Sequence, residues 1–114
     1  MRRGQIWWAD LPDPLGSAPG FTRPVIILSA DDFNQSRVAT VVVAALTSSL
    51  KYAAAPGMVK LTTGEGGVDR PSVINLTALQ TVDKSQLRDW LGALPPVKMS
   101  EINEQLAAVL GLQP

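Results

Sequence analysis

The run TVVVAAL, residues 40–46, constrains this chain more than any other feature. Val41, Val42 and Val43 are stiff at χ1 and crowd the preceding turn of a helix, whereas a pleated strand accommodates them. The run ends at the polar cluster Thr47, Ser48 and Ser49, which makes it strand-length. The same pattern recurs along the chain. Residues 5–10 are rich in Trp and Ile and run into LPDPLGSAPG, whose prolines and glycines forbid regular structure and predict a mobile loop. Residues 25–28 form a continuous apolar run suited to a strand buried on both faces, with Pro24 expected at its very start. Further strands are predicted over residues 58–61, 72–76, 79–82 and 90–93, separated by Gly and Asp turns. Short strands at such close spacing predict a small barrel in a mainly β chain with short helices.

Two helical segments complete the reading. Ser29 with Asp32 three positions on resembles an N-cap with an acidic first turn, predicting one helical turn over residues 30–35. Near the end, Ile102, Leu106, Val109 and Leu110 recur at spacings of four, three and one, with Glu101 and Glu104 early and Gly111 as C-cap. That amphipathic helix is expected to cover one side of the barrel.

Length and charge then limit what such a barrel can do. A chain of 114 residues suits a single domain, 1–114, able to bury its own core. Lys plus Arg and Asp plus Glu each total 10, so no global field draws in a polyanion, and a nucleic acid must be held by a local patch. The absence of Cys and His removes thiol nucleophiles, thiolate zinc sites, disulfides and imidazole bases. No signal-type segment and no run of about eighteen apolar residues is present, so a soluble, cytoplasmic protein with no membrane partner is expected.

The chemistry left is that of hydroxyls, carboxylates and arginine. Phosphate loops, GxSxG elbows and metal-ligand clusters are missing. Two polar pairs interrupt apolar strands: Thr22 and Arg23 precede one, and Thr47 and Ser48 follow another. If those strands are antiparallel neighbours, the start of one lies beside the end of the other, and Arg23 meets Thr47 at one rim. A guanidinium fork plus a hydroxyl donor suits a phosphate. The competing reading pairs Arg23 with Asp31 or Asp69 and leaves Thr47 and Ser48 as a turn cap.

The ordered set RGQIWWADL, LGS, TRPVIIL, VAALTSS, GGVDRPSVINL and LQTVDK closely resembles the MazF/PemK family of toxins from bacterial toxin-antitoxin pairs. The resemblance spans nearly the whole chain. It implies an SH3-like barrel of the PemK/CcdB type, a symmetric homodimer, and a sequence-specific endoribonuclease acting on single-stranded RNA. It also implies a MazE-like antitoxin whose C-terminal segment occupies the RNA groove. In the family the arginine of the RP motif and the threonine closing the third strand are the catalytic pair; they fall on Arg23 and Thr47, with Ser48 beside the scissile phosphate. Ser17, Thr22, Asp10 and Gln80 are the further RNA-binding candidates. The 2′-hydroxyl is the nucleophile, so no metal or cofactor is expected, and products carry 2′,3′-cyclic phosphate and 5′-hydroxyl ends.

This chain departs from the pattern in two places. Ala18 follows the Gly-Ser of the first loop where many relatives have a glutamate, and Thr77 and Ala78 stand where many carry an acidic or amide residue. Trp7 and Trp8 alternate across a strand, so one faces the core and the other is exposed, at a dimer contact or against an RNA base. Asn75 and Gln80 are candidates to read base edges, Arg70 is read as dimer or turn structure with a weak RNA contact as the alternative, and Lys51 and Lys60 as local phosphate attraction or solvated charge. A gyrase-inhibiting toxin of the same broad fold is the rival reading, although LAAVLGLQP offers no aromatic anchors. An SH3-type adaptor would need more aromatics than this chain has, and a catalytically silent antitoxin binder has no use for Arg23 and Thr47.

Overall fold

The computed structural model describes residues 1–11 and 22–112. Six strands, β1 (Gln5–Asp10), β2 (Thr22–Ile27), β3 (Thr40–Thr47), β4 (Met58–Leu61), β5 (Ser72–Asp83) and β6 (Leu87–Ala93), form one antiparallel sheet in the order β4-β5-β3-β2-β1-β6. The sheet curls into a half-barrel, and its central strands β2 and β3 send side chains into a buried cluster on each face. Ile26, Leu28, Ala44, Leu46, Ile74 and Leu76 pack in one cluster, and Val25, Ile27, Val41, Val43 and Val82 in the other. Strict alternation along β2 and β3 explains how uniformly apolar runs serve both sides.

The edges of the sheet are covered by helical pieces. The 3-10 turn Glu65–Gly67 packs on β6, and α2 (Pro96–Leu110) leans on β4 and β5. Met99, Ile102 and Leu106 of α2 enter the first cluster, and Ile102 is fully buried. Lys98 bonds to the Lys60 carbonyl and pairs with Glu65 at 3.6 Å, while Gln105 accepts the Gly57 amide at 2.9 Å. Ile102→Ala therefore removes the main apolar anchor of α2 and should cost about 2–5 kcal/mol in urea unfolding.

Several sequence expectations shift. The helix begins at Pro96, well before Glu101, because a proline at the first helical position loses no hydrogen bond. Gly111 does cap it, but Leu110, expected on its apolar face, is 52 % exposed. Pro24 is the third residue of β2, ahead of the β3 ladder that starts at Val25, so it sits where β2 is paired on one side only. The strands expected at 72–76 and 79–82 are one, β5; a single β3 residue, Ala45, faces four β5 residues, 75–78, in a wide bulge.

Ser29 does not cap the first helix. That helix, α1 (Asp31–Asn34), has Ala30 at its N-cap, and the Ser29 hydroxyl instead donates to Asn34 Oδ1 and accepts from the Val42 amide. Asp31 is the polar centre here: it accepts the Arg3 amide at 2.6 Å and Asn34 Nδ2 at 3.3 Å, with Arg2 at 3.7 Å. The Arg3 amide, then Asn34 and the Arg2 charge, hold its carboxyl below the usual range. A lowered folded pKa stabilises above the unfolded value and is lost as pH falls through the folded one. Asp31→Asn should thus lower the urea midpoint at neutral pH, with the gap to wild type closing below about pH 4.

Candidate functional site

Arg23 and Thr47 reach the same rim by the logic of the ladder. β2 pairs β3 through Val25 with Ala45 and Ile27 with Val43; continued two residues outward, this antiparallel register sets Arg23 opposite Thr47. Both residues line a cavity of about 510 Å³, with Ser48, Trp8, Asp69 and Arg70 among its walls. Both also line a second concavity of about 340 Å³, with Tyr52, Asn75 and Gln80. The pair stands where two hollows meet.

The Thr47 hydroxyl has a defined polarity. Its oxygen accepts the Ser49 amide at 3.1 Å, which leaves the O–H proton to donate outward. Arg23 is exposed and offers a guanidinium fork, and Arg70 adds a second one, in contact with Asp69 at 3.3 Å. Two guanidinium groups and one carboxylate, that of Asp69, therefore line this cleft in a chain of zero net charge. Asp31, one alternative partner for Arg23, is engaged by Arg2 and Arg3 beyond the other end of β2.

The other candidates fall in different places. Asp10 and Thr22 pair across the β1–β2 ladder, the Thr22 hydroxyl donating to Asp10 at 2.9 Å, and Arg88 holds the other Asp10 oxygen at 2.8 Å. They sit next to Arg23 in the sheet yet among the lining of neither hollow. Gln80 lies in the smaller hollow. Ser17 and Ala18, with the loop that carries them, lie outside the described residues. Trp7 packs against the second core cluster, while Trp8 is exposed and lines the larger cavity. Lys51 lies 5.3 Å from the Tyr52 ring centroid, and Lys60 is exposed on β4. Arg70, read from sequence as turn or dimer structure or a weak RNA contact, lines the same cavity as Arg23. Tyr52 was not legible at all, because KYAAAPG has no periodicity and pairs with nothing in sequence. Among the described residues no group of three acidic, His or Cys side chains could hold a metal ion, and no helix is long and apolar enough to cross a membrane.

A curled antiparallel sheet that brings an arginine and a threonine to the lining of one cleft sets together the kinds of donor that phosphate oxygens accept. Comparison with known proteins narrows the class. Residues 2–110 match the sequence model of the PemK-like, MazF-like toxins of type II toxin-antitoxin systems. Endoribonuclease MazF2 of Mycobacterium bovis is 43% identical over 112 residues, covering 98% of both chains. Endoribonuclease MazF of Staphylococcus saprophyticus is 38% identical, covering 98% of this chain and 92% of its own. Among solved structures, a mycobacterial endoribonuclease in complex with its cognate antitoxin superposes with a TM-score of 0.81 at 29% identity, covering 100% of this chain and 98% of that one. The chain belongs to the PemK-like, MazF-like toxin family.

Proposed function

We propose that this chain is the toxin of a type II toxin-antitoxin pair and cleaves single-stranded RNA at a phosphodiester held between Arg23 and Thr47. The observation that carries the reading is the position of this pair at the junction of two hollows. A strand of RNA laid across both hollows has its backbone turned at Arg23 and Thr47, with a nucleotide on either side. The substrate brings its own nucleophile. The 2′-oxygen attacks phosphorus, the bond to the 5′ oxygen breaks, and the products are a 2′,3′-cyclic phosphate and a 5′-hydroxyl. The 2′-hydroxyl proton passes to solvent, and the leaving oxygen takes a proton from solvent while Arg23 donates a hydrogen bond to it. Thr47 donates to a non-bridging oxygen, aimed by the Ser49 amide. Arginine is too weakly acidic to serve as the base.

The transition state gains a negative charge that the fixed donors meet, and this needs neither a cofactor nor a metal ion. Thr47→Val keeps the shape but removes the donor, and the single-turnover rate on a long messenger RNA should fall roughly 100-fold. Thr47→Ser should recover most of it. Equal rates in wild type and Thr47→Val would remove Thr47 from the chemistry.

The partners follow from the same groove. The arginines that line it suit the carboxylates of an extended antitoxin segment as well as RNA phosphates, which gives the antitoxin a direct way to block the site. Exposed Leu110, the last residue of α2, and Leu112 just beyond it offer apolar surface for the homodimer, and residues 1–114 act as one unit in the cytoplasm, where the substrate is.

A further inference from the structure

The smaller hollow has features beyond those that hold a phosphate. Its floor is Ala45, a small residue at the point where β5 bulges away from β3, and its volume of about 340 Å³ is at the lower end of ligand pockets. Asn75 lies at the start of that bulge, with Gln80 just beyond it. The Asn75 amide is oriented by its neighbour: Oδ1 accepts both the backbone amide of Thr77, at 3.0 Å, and the Thr77 hydroxyl. A backbone N–H only donates, so the atom facing it must be the oxygen, and both of its lone pairs are taken. Asn75 therefore has only its Nδ2 hydrogens left for a ligand. Gln80 is half-buried, and its side-chain amide makes no hydrogen bond among the described residues. Tyr52 supplies an exposed ring, with Lys51 held over it.

We propose that this hollow is a nucleobase subsite beside the scissile phosphate and that Asn75, locked by Thr77, makes it select a keto base, uracil or guanine, over adenine. The inference rests on the RNA-cleaving reading above. An asparagine recognises adenine by using its oxygen and its nitrogen together, accepting from N6 and donating to N7. Here Thr77 consumes the oxygen. A keto oxygen of the base accepts from Asn75 Nδ2, Gln80 pairs with the neighbouring ring N–H, and the base stacks on the Tyr52 face opposite Lys51. Asn75 is thus a specificity residue and Thr77 a positioning residue, and neither is asked to touch the reacting atoms.

The test is cleavage of a randomised single-stranded RNA library followed by sequencing of the ends. Wild type is expected to cut with uracil or guanine enriched about ten-fold over adenine at one position flanking the cut. Asn75→Asp keeps the acceptor for Thr77 but offers no donor, so the enrichment at that position should vanish or turn toward adenine while the other positions keep theirs. Thr77→Val removes the hydroxyl while its backbone amide still holds Asn75 Oδ1, so one lone pair of that oxygen is released and the keto preference at the same position alone should weaken, with overall cutting retained. Unchanged base frequencies in both variants, or no keto preference in wild type, overturn the subsite while leaving the nuclease reading intact. Should wild type leave the library whole, the nuclease reading fails, and 2′-O-methyl hexanucleotides carrying uracil or adenine then decide the subsite by fluorescence anisotropy. Tighter uracil binding that is lost in Asn75→Asp supports it, and equal affinity overturns it.

Discussion

Arg23→Ala is expected to reduce RNA cleavage by about three orders of magnitude without changing the urea midpoint appreciably. Arg23 is exposed at the outer end of β2, where truncation opens no core cavity. It lines both hollows, and in the mechanism proposed above its loss removes the main charge that meets the developing phosphorane. One preorganised donor is worth about 3 kcal/mol of barrier, and a charged fork engages two oxygens. Arg23→Lys is the sharper variant. It keeps the charge but gives up the planar fork, so a loss of about 10- to 100-fold is expected, intermediate between wild type and alanine. Lysine activity equal to wild type would mean that the site uses charge alone.

Gly67→Ala is expected to have the largest effect on stability, about 3 kcal/mol or more. A Cβ there would lie 2.2 Å from the Leu91 carbonyl oxygen of β6, and the residue has φ +85°. The clash is with backbone, which has little room to yield, and the positive φ adds its own strain. Gly92 faces the same contact from the other side, its added Cβ meeting the Gly66 carbonyl oxygen at 2.4 Å. Gly64 separates the two causes: it has φ +96° but nothing within 4 Å. Gly64→Ala should therefore cost only about 1 kcal/mol. Because Gly67, Asp69 and Arg70 line the larger cavity, Gly67→Ala should also impair cleavage in whatever fraction remains folded. Equal urea midpoints for the two variants would contradict the close approach of this turn to β6.

Much of this was legible from residue types. The run at 40–46 and the apolar stretch at 25–28 are strands because β-branched residues pack on pleated surfaces, and their burial on two faces follows from having no polar alternation. The Arg23–Thr47 rim followed from one assumption, that these two strands are antiparallel neighbours, and the ladder has that register. What stayed hidden depends on contacts distant in sequence. The bulge that makes one strand of residues 72–83 is set by β3 across the sheet, and no local signal distinguishes it from a turn. Ser29 had a cap's chemistry, but the Val42 amide, thirteen residues away, competes for its oxygen. The role of Tyr52 in the smaller hollow is a matter of tertiary placement only.

The measurement that tests the central claim most directly uses a single-stranded RNA containing a mapped cut site, incubated with the purified protein in excess EDTA. Two substrates are compared, one all-ribose and one with a single 2′-deoxy nucleotide immediately 5′ of the cut. The account predicts cutting of the first, with a 5′-hydroxyl and a 2′,3′-cyclic phosphate at the new ends, and survival of the second at that position. Cutting of the deoxy substrate, 5′-phosphate ends, or activity only when a divalent cation is restored would contradict a reaction run by the RNA's own hydroxyl between Arg23 and Thr47.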